Sequence, residues 1–140
     1  MKFLSDLFKK LLGVKKTSKF ENVVVGKIIS IESHPNADRL QITKTDVGSE
    51  VLQIVCGASN IEVGQMVPVA LVGAKLSESS SKGGPAENWE IKEAKIRGTK
   101  SFGMICAEDE LGLGENHDGI MVLDDGVEIG MKFEKYLNNK

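Results

Sequence analysis

One basic stretch, residues 91–104, carries the residue types that bind phosphate groups. Its charged residues are Lys92, Glu93, Lys95, Arg97 and Lys100. If this stretch is a strand, Lys95 and Arg97 lie together on one face, because alternate residues of a strand share a face. A turn flanked by glycines would then carry Lys100 and the hydroxyl of Ser101. The pattern predicts an edge that contacts phosphate oxygens. The alternative is a surface strand that is rich in lysine for solubility and to discourage edge pairing.

Catalytic and metal-binding chemistry has weaker support. Cys56 with His34 or His117 could form a nucleophile and a base, but nothing in the sequence orients either pair. The acidic span 108–128 lacks the ligand spacing of a calcium loop, and two cysteines with two isolated histidines do not form a zinc motif. The sequence therefore predicts no enzyme, no metal ion and no cofactor. Cys56 and Cys106 are interpreted as buried thiols, with a disulfide as the alternative.

Charge is distributed unevenly along the 140 residues, whose formal net charge is −2. Residues 1–19 hold six lysines and one aspartate, a net charge of +5, so the remainder carries −7. The span 108–128 contains eight carboxylates and no lysine or arginine. Because salt screens charges beyond about 8 Å, a basic face can act locally beside an acidic one. The acidic body nevertheless predicts weak and salt-sensitive affinity for nucleic acid.

Composition is typical of a globular protein, with 41% hydrophobic and 27% charged residues, and the length predicts one domain with at most an appendage. Aromatic residues make up 5% of the chain, which disfavours a platform that stacks single-stranded bases. No run reaches the roughly 18 apolar residues that would span a membrane. Charged residues interrupt the apolar N-terminus, unlike a signal peptide. A cytoplasmic protein without a membrane partner is the expectation.

Residues 1–19 are predicted to form an amphipathic basic helix and a linker, separate from a domain that covers residues 20–140. Apolar residues recur at helical spacing, at Phe3, Leu4, Leu7, Phe8, Leu11 and Leu12. Gly13 is a stop signal. Three roles fit this helix: docking on the body or on a second copy, tethering to RNA or another protein, and lying on an anionic membrane surface.

From Asn22 onward, short apolar strands alternate with turn signals, the pattern of an all-β domain. Besides the basic stretch, strands are predicted at residues 23–31, 40–47, 52–56, 67–71 and 120–123. Gly26, inside the first strand, indicates a bulge or a close backbone approach. Short helical segments are predicted at 107–111 and 131–137, and a mobile loop at 77–88, before a core Trp89. Five or six such strands predict a small barrel.

Several motifs, in this order, resemble the tRNA-binding OB-fold domain family. They are residues 25–28 (VGKI), 34–40 (HPNADRL), 53–60 (QIVCGASN), 64–70 (GQMVPVA) and 95–98 (KIRG), with Ser101, Gly103 and Met104. Within the family, the likeness is nearest to the N-terminal tRNA-binding domain of bacterial phenylalanyl-tRNA synthetase β subunits. It is carried by residues 106–113 (CAEDELGL) and 117–120 (HDGI). The resemblance covers residues 22 to about 137.

The resemblance implies an all-β fold, a Greek-key OB-fold barrel of about five strands with short added helices. It also implies non-catalytic binding of structured tRNA. The tRNA would be recognised by its shape and backbone and not by its base sequence, because A-form RNA presents phosphates and 2′-hydroxyls more readily than base edges. The chain would act as a stand-alone protein or as a module of an aminoacyl-tRNA synthetase, either of which could contribute in trans to aminoacylation. Stand-alone relatives are often dimers, so a homodimer is expected.

The candidate RNA-binding residues follow from the basic stretch and the resemblance together. They are Lys95, Arg97 and Lys100 as phosphate contacts, Ser101 as a hydroxyl donor, Arg39 as a second cation, and Lys44, Lys92 and Asn36 as weaker candidates. Lys44 and Lys92 are weaker because each falls in phase with neighbours that are expected to face inward. Asn36 is expected to shape its turn more than to touch RNA. His34 is expected to be an exposed turn residue, with base stacking as the alternative.

A second hypothesis is a protein-interaction module or a chaperone-like dimer with the same fold. Small OB-fold barrels bind peptides and subunits as well as nucleic acids. The net charge of −7 outside the N-terminal segment fits this hypothesis better than it fits RNA binding. Charge reversal of Lys95 and Arg97 would separate the two, because it should abolish tRNA binding and leave a dimer or a peptide complex intact.

Overall fold

The computed structural model describes residues 20–77, 88–114 and 119–139, and these residues form short strands with little helix. The strands are β1 (Val23–Ser33), β2 (Gln41–Asp46), β3 (Val51–Cys56), β4 (Met66–Leu71), β5 (Lys75–Ser77), β6 (Asn88–Glu90), β7 (Ala94–Ile96), β8 (Thr99–Ser101) and β9 (Gly103–Ile105). A 3-10 helix spans Asp109–Leu111, and a short α-helix, α1, spans Phe133–Asn138. The predicted all-β class is confirmed. The helix and linker predicted for residues 1–19 lie outside the described residues.

Five strands form one antiparallel sheet in the order β3-β2-β1-β4-β9. The two outer strands of this sheet are brought together by bonds from β3 to the β8–β9 segment. The Phe102 N–H donates to the carbonyl oxygen of Gln53 at 2.9 Å, and the Val55 N–H donates to Ser101 Oγ at 3.0 Å. The sheet is therefore a nearly closed five-stranded barrel, the architecture of an OB-fold, as the sequence predicts.

The long strand β1 pairs with both β2 and β4 and contains a β-bulge. The sequence predicted either a bulge or a close backbone approach at Gly26. The register shifts between Ile28 and Ser30, so the bulge lies at Ile29. Gly26 has a different role, because a Cβ atom there would lie 2.7 Å from Val69 Cγ2 and 2.9 Å from Thr45 Cγ2. Gly26 therefore allows the neighbouring strands to pack closely against β1.

Two hydrophobic clusters lie on opposite faces of β1 and β4, which explains why β4 is buried almost throughout. One cluster includes Ile28, Ile54, Val67 and Val69 and fills the barrel. The other includes Val23, Val25 and Met66 and is covered by the C-terminal segment, with Phe133 of α1 fully buried in it. Phe133 makes an edge-to-face contact with Phe20, with ring centroids 5.2 Å apart.

Strand β2 faces the opposite way from the prediction. The prediction placed residues 40, 42 and 44 inward, but Thr43 and Thr45 are the buried pair and Lys44 is exposed. The Thr43 hydroxyl donates to the carbonyl oxygen of Ile54 at 2.9 Å and lies 3.0 Å from the Thr45 hydroxyl. Because these hydroxyls are satisfied by hydrogen bonds, they can be buried at little cost.

The remaining predictions for the chain's elements have mixed outcomes. The helical segments predicted at 107–111 and 131–137 are confirmed by the 3-10 helix and α1. No strand forms at 120–123; this extended segment is held by backbone bonds from Met121 to Cys106 and from Leu123 to Met66. The predicted loop at 77–88 has strands at both ends, because Ser77 pairs with Asn88. Residues 78–87 and the side chain of Trp89 lie outside the described residues.

Candidate nucleic-acid interface

The basic stretch folds as a two-stranded hairpin of β7 and β8 outside the barrel sheet, with Arg97 and Gly98 as its turn. Their φ angles are 52° and 89°. Positive φ at both central residues is the requirement of a type I′ turn, which matches the twist of the flanking strands. The strand alternation therefore ends at Ile96, and Arg97 lies at the tip of the hairpin. The prediction that Lys95 and Arg97 share a strand face is wrong, because the turn begins earlier than expected.

The residue that does share a face with Lys95 is Lys100. These two residues are directly opposite each other in the hairpin, and both are exposed. The neighbouring Ser101 is buried, so Lys100 points away from the barrel. Like charges directly across a strand pair repel each other. An anion bound between the two ammonium groups would relieve that repulsion.

A third lysine extends this pair across the barrel surface. Lys44 Nζ donates to Gln53 Oε1 at 2.8 Å, and Gln53 Nε2 donates to the carbonyl oxygen of Lys100 at 2.8 Å. Lys44 is therefore tied through the Gln53 side chain to the hairpin strand that carries Lys100. We call Lys44, Lys95 and Lys100 the cationic row. It crosses β2, β3, β8 and β7 in that order, with roughly 4.8 Å between paired strands.

The β1–β2 loop holds the tip of the hairpin. His34 is 6% exposed and bonded on both ring nitrogens. Its Nδ1 accepts the Asn36 N–H at 2.9 Å, and its Nε2 lies 2.9 Å from the carbonyl oxygen of Ile96. Asn36 Nδ2 donates to the carbonyl oxygen of Arg97 at 3.3 Å. The expectation of an exposed His34 is wrong, whereas Asn36 shapes its turn as expected and also reaches the hairpin.

The Ser101 side chain is buried and hydrogen-bonded within the chain. It is 2% exposed, and its hydroxyl accepts the Val55 N–H at 3.0 Å and donates to the carbonyl oxygen of Gly103 at 3.2 Å. Both hydrogen-bonding functions of the hydroxyl are used within the chain, at the seam that closes the barrel. The predicted role of Ser101 as a donor to RNA has no support in this geometry.

Lys92 and Arg39 line two neighbouring pockets. Lys92 lines a pocket of about 580 Å³ together with Ala94 and Ile96, on the opposite face of the hairpin from Lys95. Arg39 is exposed beside a shallow cleft that shares residues 57–59 with this pocket. The structure thus brings Lys44, Lys95 and Lys100 together, and it separates them from Lys92.

The two thiols do not form a catalytic or metal-binding group. Cys56 and Cys106 are both buried and unpaired with each other. Burial raises the pKa of both thiols, and the nearby Glu110 carboxylate raises it further. A thiol with a raised pKa is a poor nucleophile near neutral pH. Within residues 20–77, 88–114 and 119–139, no three histidine, cysteine or carboxylate side chains are grouped as metal ligands would be.

The same described ranges contain no helix with the length and apolar content needed to cross a bilayer.

Comparison with known proteins agrees with the basic surface. Residues 23–132 match the family described as putative tRNA binding domain. The chain belongs to this family. The family description names binding and no reaction, in agreement with the predicted absence of catalysis.

The similar proteins of known name are much longer than this chain. The phenylalanine–tRNA ligase beta subunit of Chlorobaculum tepidum is 51% identical over 135 residues, which are 96% of this chain and 15% of that protein. The beta subunit of Nitratidesulfovibrio vulgaris is 54% identical over 113 residues, 80% of this chain and 13% of that protein. The predicted likeness to this subunit is confirmed, and the chain spans about one seventh of its length.

Two solved structures show the fold again. The C-terminal domain of Plasmodium vivax p43 matches with a TM-score of 0.52 and 27% identity, over 78% of this chain and 56% of that chain. An RNA ligase of Naegleria gruberi matches with a TM-score of 0.58 and 13% identity, over 84% of this chain and 33% of the ligase chain. The second likeness is one of fold alone.

The sequence analysis identified the cations of the hairpin but not the residues that position them. The contacts of His34 and Gln53 with the hairpin join residues 62 and 47 positions apart. No local pattern reports a contact at that separation. The sequence predicts a turn at His34-Pro35-Asn36 but not the proximity of this turn to the hairpin.

Proposed function

We propose that the chain binds tRNA without catalysis, through the cationic row, with Arg97 at the hairpin tip and Arg39 at the edge of the surface. The observation that carries the proposal is the direct opposition of Lys95 and Lys100 in the hairpin. Two adjacent ammonium groups create a local positive potential that an RNA phosphate neutralises, despite the acidic remainder of the chain.

The arrangement favours recognition of backbone over sequence. Lysines on a strand surface act as point charges on flexible stems, which suits phosphate oxygens more than the edges of particular bases. The barrel spaces these charges at strand intervals, and the hydrogen bonds of Gln53 hold two of the strands together. Binding of this kind is weak for each contact and falls steeply with salt.

The relatives suggest where such binding is used. Phenylalanine–tRNA ligase beta subunits contain a region about half identical to this chain. The proposed role is to hold tRNA for an aminoacyl-tRNA synthetase, either as a part of that enzyme or as a separate chain acting in trans. This role places the protein in the cytoplasm, where aminoacylation takes place.

Fluorescence anisotropy with labelled bulk tRNA at two salt concentrations tests the proposal. Lys95→Glu/Lys100→Glu should remove the salt-sensitive binding that wild type shows. The matched control is Lys132→Glu/Lys135→Glu, which changes the net charge equally at α1, an element that contacts β1 and lies outside the cationic row. The control should lose far less affinity. Equal loss in the two double variants would mean that overall charge, and not the hairpin, determines binding.

A wild-type chain that does not bind tRNA even at low salt would overturn the proposal and favour the protein-interaction module. The expected homodimer is part of the same proposal. Sedimentation equilibrium between 1 and 100 µM measures it, and a mass equal to one chain over this whole range would contradict it. The tRNA titration remains interpretable in either case, because the cationic row lies within a single chain.

A further inference from the structure

The pocket behind the hairpin is lined mainly by apolar and small residues. Its volume, about 580 Å³, is within the usual range for small-ligand sites. Ile96 and Met104 provide half-buried apolar walls, and Ala94 and Gly57 leave room beside them. The cationic row lies on the outer face of the same hairpin, so the pocket and the proposed phosphate surface are separated by a single layer of two strands.

The pocket lining includes a cation, Lys92, and a carboxylate, Glu110. Lys92 is exposed, whereas Glu110 is half-buried and accepts the Ala107 N–H through Oε1 at 2.8 Å. A carboxylate in the lining disfavours an anion inside the pocket. It favours an uncharged group there. An exposed ammonium group suits an anion that remains outside.

We propose that this pocket accepts an unpaired base of the RNA whose phosphates contact the hairpin. A nucleotide has the required combination, since its base is uncharged with apolar faces and its phosphate is an anion attached a short distance away. Unpaired bases in RNA loops are bound by proteins in this manner, between side chains and with their edges hydrogen-bonded. The inference rests on the proposed function and refines it: the bound part of the RNA is a loop or an end with unpaired bases, and not a continuous helix.

The occupant follows from continuity with the cationic row. Ala94 and Ile96 line the pocket, while Lys95, between them in sequence, belongs to the row. An RNA strand that crosses the hairpin edge therefore meets phosphate-binding groups on one face and an apolar cavity on the other. Lys92, two residues before Ala94, adds a cation on the pocket side.

The variant Ala94→Phe narrows the pocket beside the hairpin while it retains every cation. Ala94 is exposed, so the larger side chain can be accommodated without repacking the barrel. The probes are bulk tRNA and a blunt-ended RNA duplex without unpaired bases. We expect Ala94→Phe to weaken tRNA binding about tenfold, a loss of about 1.4 kcal/mol of binding free energy, and to leave duplex binding unchanged. The matched control is Val72→Phe, at a surface position 48% exposed and outside the pocket, which should change neither affinity.

A second measurement uses the wild-type chain alone and does not depend on the folding of a variant. Methyl resonances of Ala94 and Met104 are followed by NMR as the single-stranded trinucleotides of adenosine or uridine are added. Shifts that saturate and involve both methyl groups support the inference. If neither methyl group shifts with either trinucleotide, the pocket does not accept a base.

The outcomes separate this inference from the proposed function. Unchanged tRNA binding in Ala94→Phe, with loss in Lys95→Glu/Lys100→Glu, overturns the pocket inference and leaves the function standing. Equal weakening of tRNA and duplex binding by Ala94→Phe also overturns it, because the effect would then act through the hairpin's phosphate face. Failure of wild type to bind tRNA overturns both.

Discussion

The Nε2 atom of His34 lies 2.9 Å from the carbonyl oxygen of Ile96, and this contact joins the β1–β2 loop to the last strand residue before the hairpin turn. Since the Asn36 N–H donates to Nδ1 at 2.9 Å, the ring proton resides on Nε2 and is donated to Ile96. One neutral imidazole thus serves as acceptor for its own loop and as donor to the hairpin. His34 is in this sense a positioning residue for the proposed tRNA surface.

Replacement of His34 by alanine should loosen the hairpin and weaken tRNA binding. The substitution leaves the Asn36 N–H and the Ile96 carbonyl without their partner, so we expect the free energy of unfolding to fall by about 1–3 kcal/mol. Amide hydrogen exchange of residues 94–101 should accelerate. The comparison variant is Asn36→Ala, which removes only an exposed bond of 3.3 Å and should cost less than about 0.5 kcal/mol. Exchange rates in His34→Ala equal to those of wild type would show that His34 does not hold the hairpin.

Replacement of Ser101 by alanine distinguishes a structural serine from an RNA contact. The Val55 N–H would lose its acceptor in a buried position, and we expect a destabilisation of about 1–3 kcal/mol in urea denaturation. The tRNA affinity of the folded variant should equal that of wild type. The control is Ser49→Ala, at an exposed position, which should change neither quantity. A loss of affinity with unchanged stability would restore Ser101 as a donor to RNA.

Substitution of the turn residue Arg97 by asparagine should raise the stability of the chain and weaken its binding of tRNA. Its φ of 52° is unfavourable for a long side chain, whereas Asn-Gly is the preferred pair for a type I′ turn. We expect Arg97→Asn to raise the free energy of unfolding by roughly 0.5–1 kcal/mol and to lower the salt slope of tRNA binding by roughly 0.7–0.9.

Arg97→Ala serves as the comparison for this turn, because it removes the same charge without the turn preference of asparagine. Its salt slope should match that of Arg97→Asn, and its stability should not rise. An unchanged slope in both variants would exclude Arg97 from the phosphate contacts.

The two buried thiols should make the fold sensitive to alkaline pH. Burial raises the pKa of Cys56 and Cys106 above the ordinary value of 9.0. Above that pH the unfolded chain releases thiol protons that the folded chain retains, so the stabilisation is complete below pH 9.0 and is lost as the pH rises. Each thiol should lower the free energy of unfolding by at most about 1.4 kcal/mol per pH unit there.

Urea denaturation between pH 8 and 10.5 measures this loss. The control is Cys56→Ala/Cys106→Ala, in which the dependence on pH should be shallower even though cavities lower its stability throughout. If the wild type and the control have parallel profiles, the thiols titrate alike in the folded and unfolded chains.

The barrel could be predicted from the sequence because its strands are marked by β-branched residues at alternate positions. The phase of β2 could not, since Leu40 and Ile42 suggested one face while Thr43 and Thr45 were buried on the other. A buried hydroxyl with hydrogen-bond partners behaves like an apolar group. Those partners are set by tertiary structure, which a pattern of hydrophobicity does not contain.

In the candidate site too, local sequence predicted some features and tertiary contacts decided the others. The basic stretch singled out Lys95 and Lys100, whose use in RNA binding stays a prediction. The positions of Arg97 and Ser101 depended on where the turn begins, and Arg-Gly is not a sequence pair that signals a type I′ turn. The contact of Ser101 with Val55 spans 46 residues, so its burial was not visible in the local sequence.

The barrel holds the hairpin through carbonyl oxygens of the hairpin's main chain and, at the seam, through the Ser101 side chain. His34, Asn36 and Gln53 reach carbonyl oxygens of the hairpin, at Ile96, Arg97 and Lys100, and these oxygens are present whatever side chains the hairpin carries. Substitutions at Lys95, Lys100 or Ala94 can therefore change the proposed binding surface without loosening the hairpin's attachment. Within this fold, ligand preference can drift during evolution in one short segment while selection for stability acts on the rest.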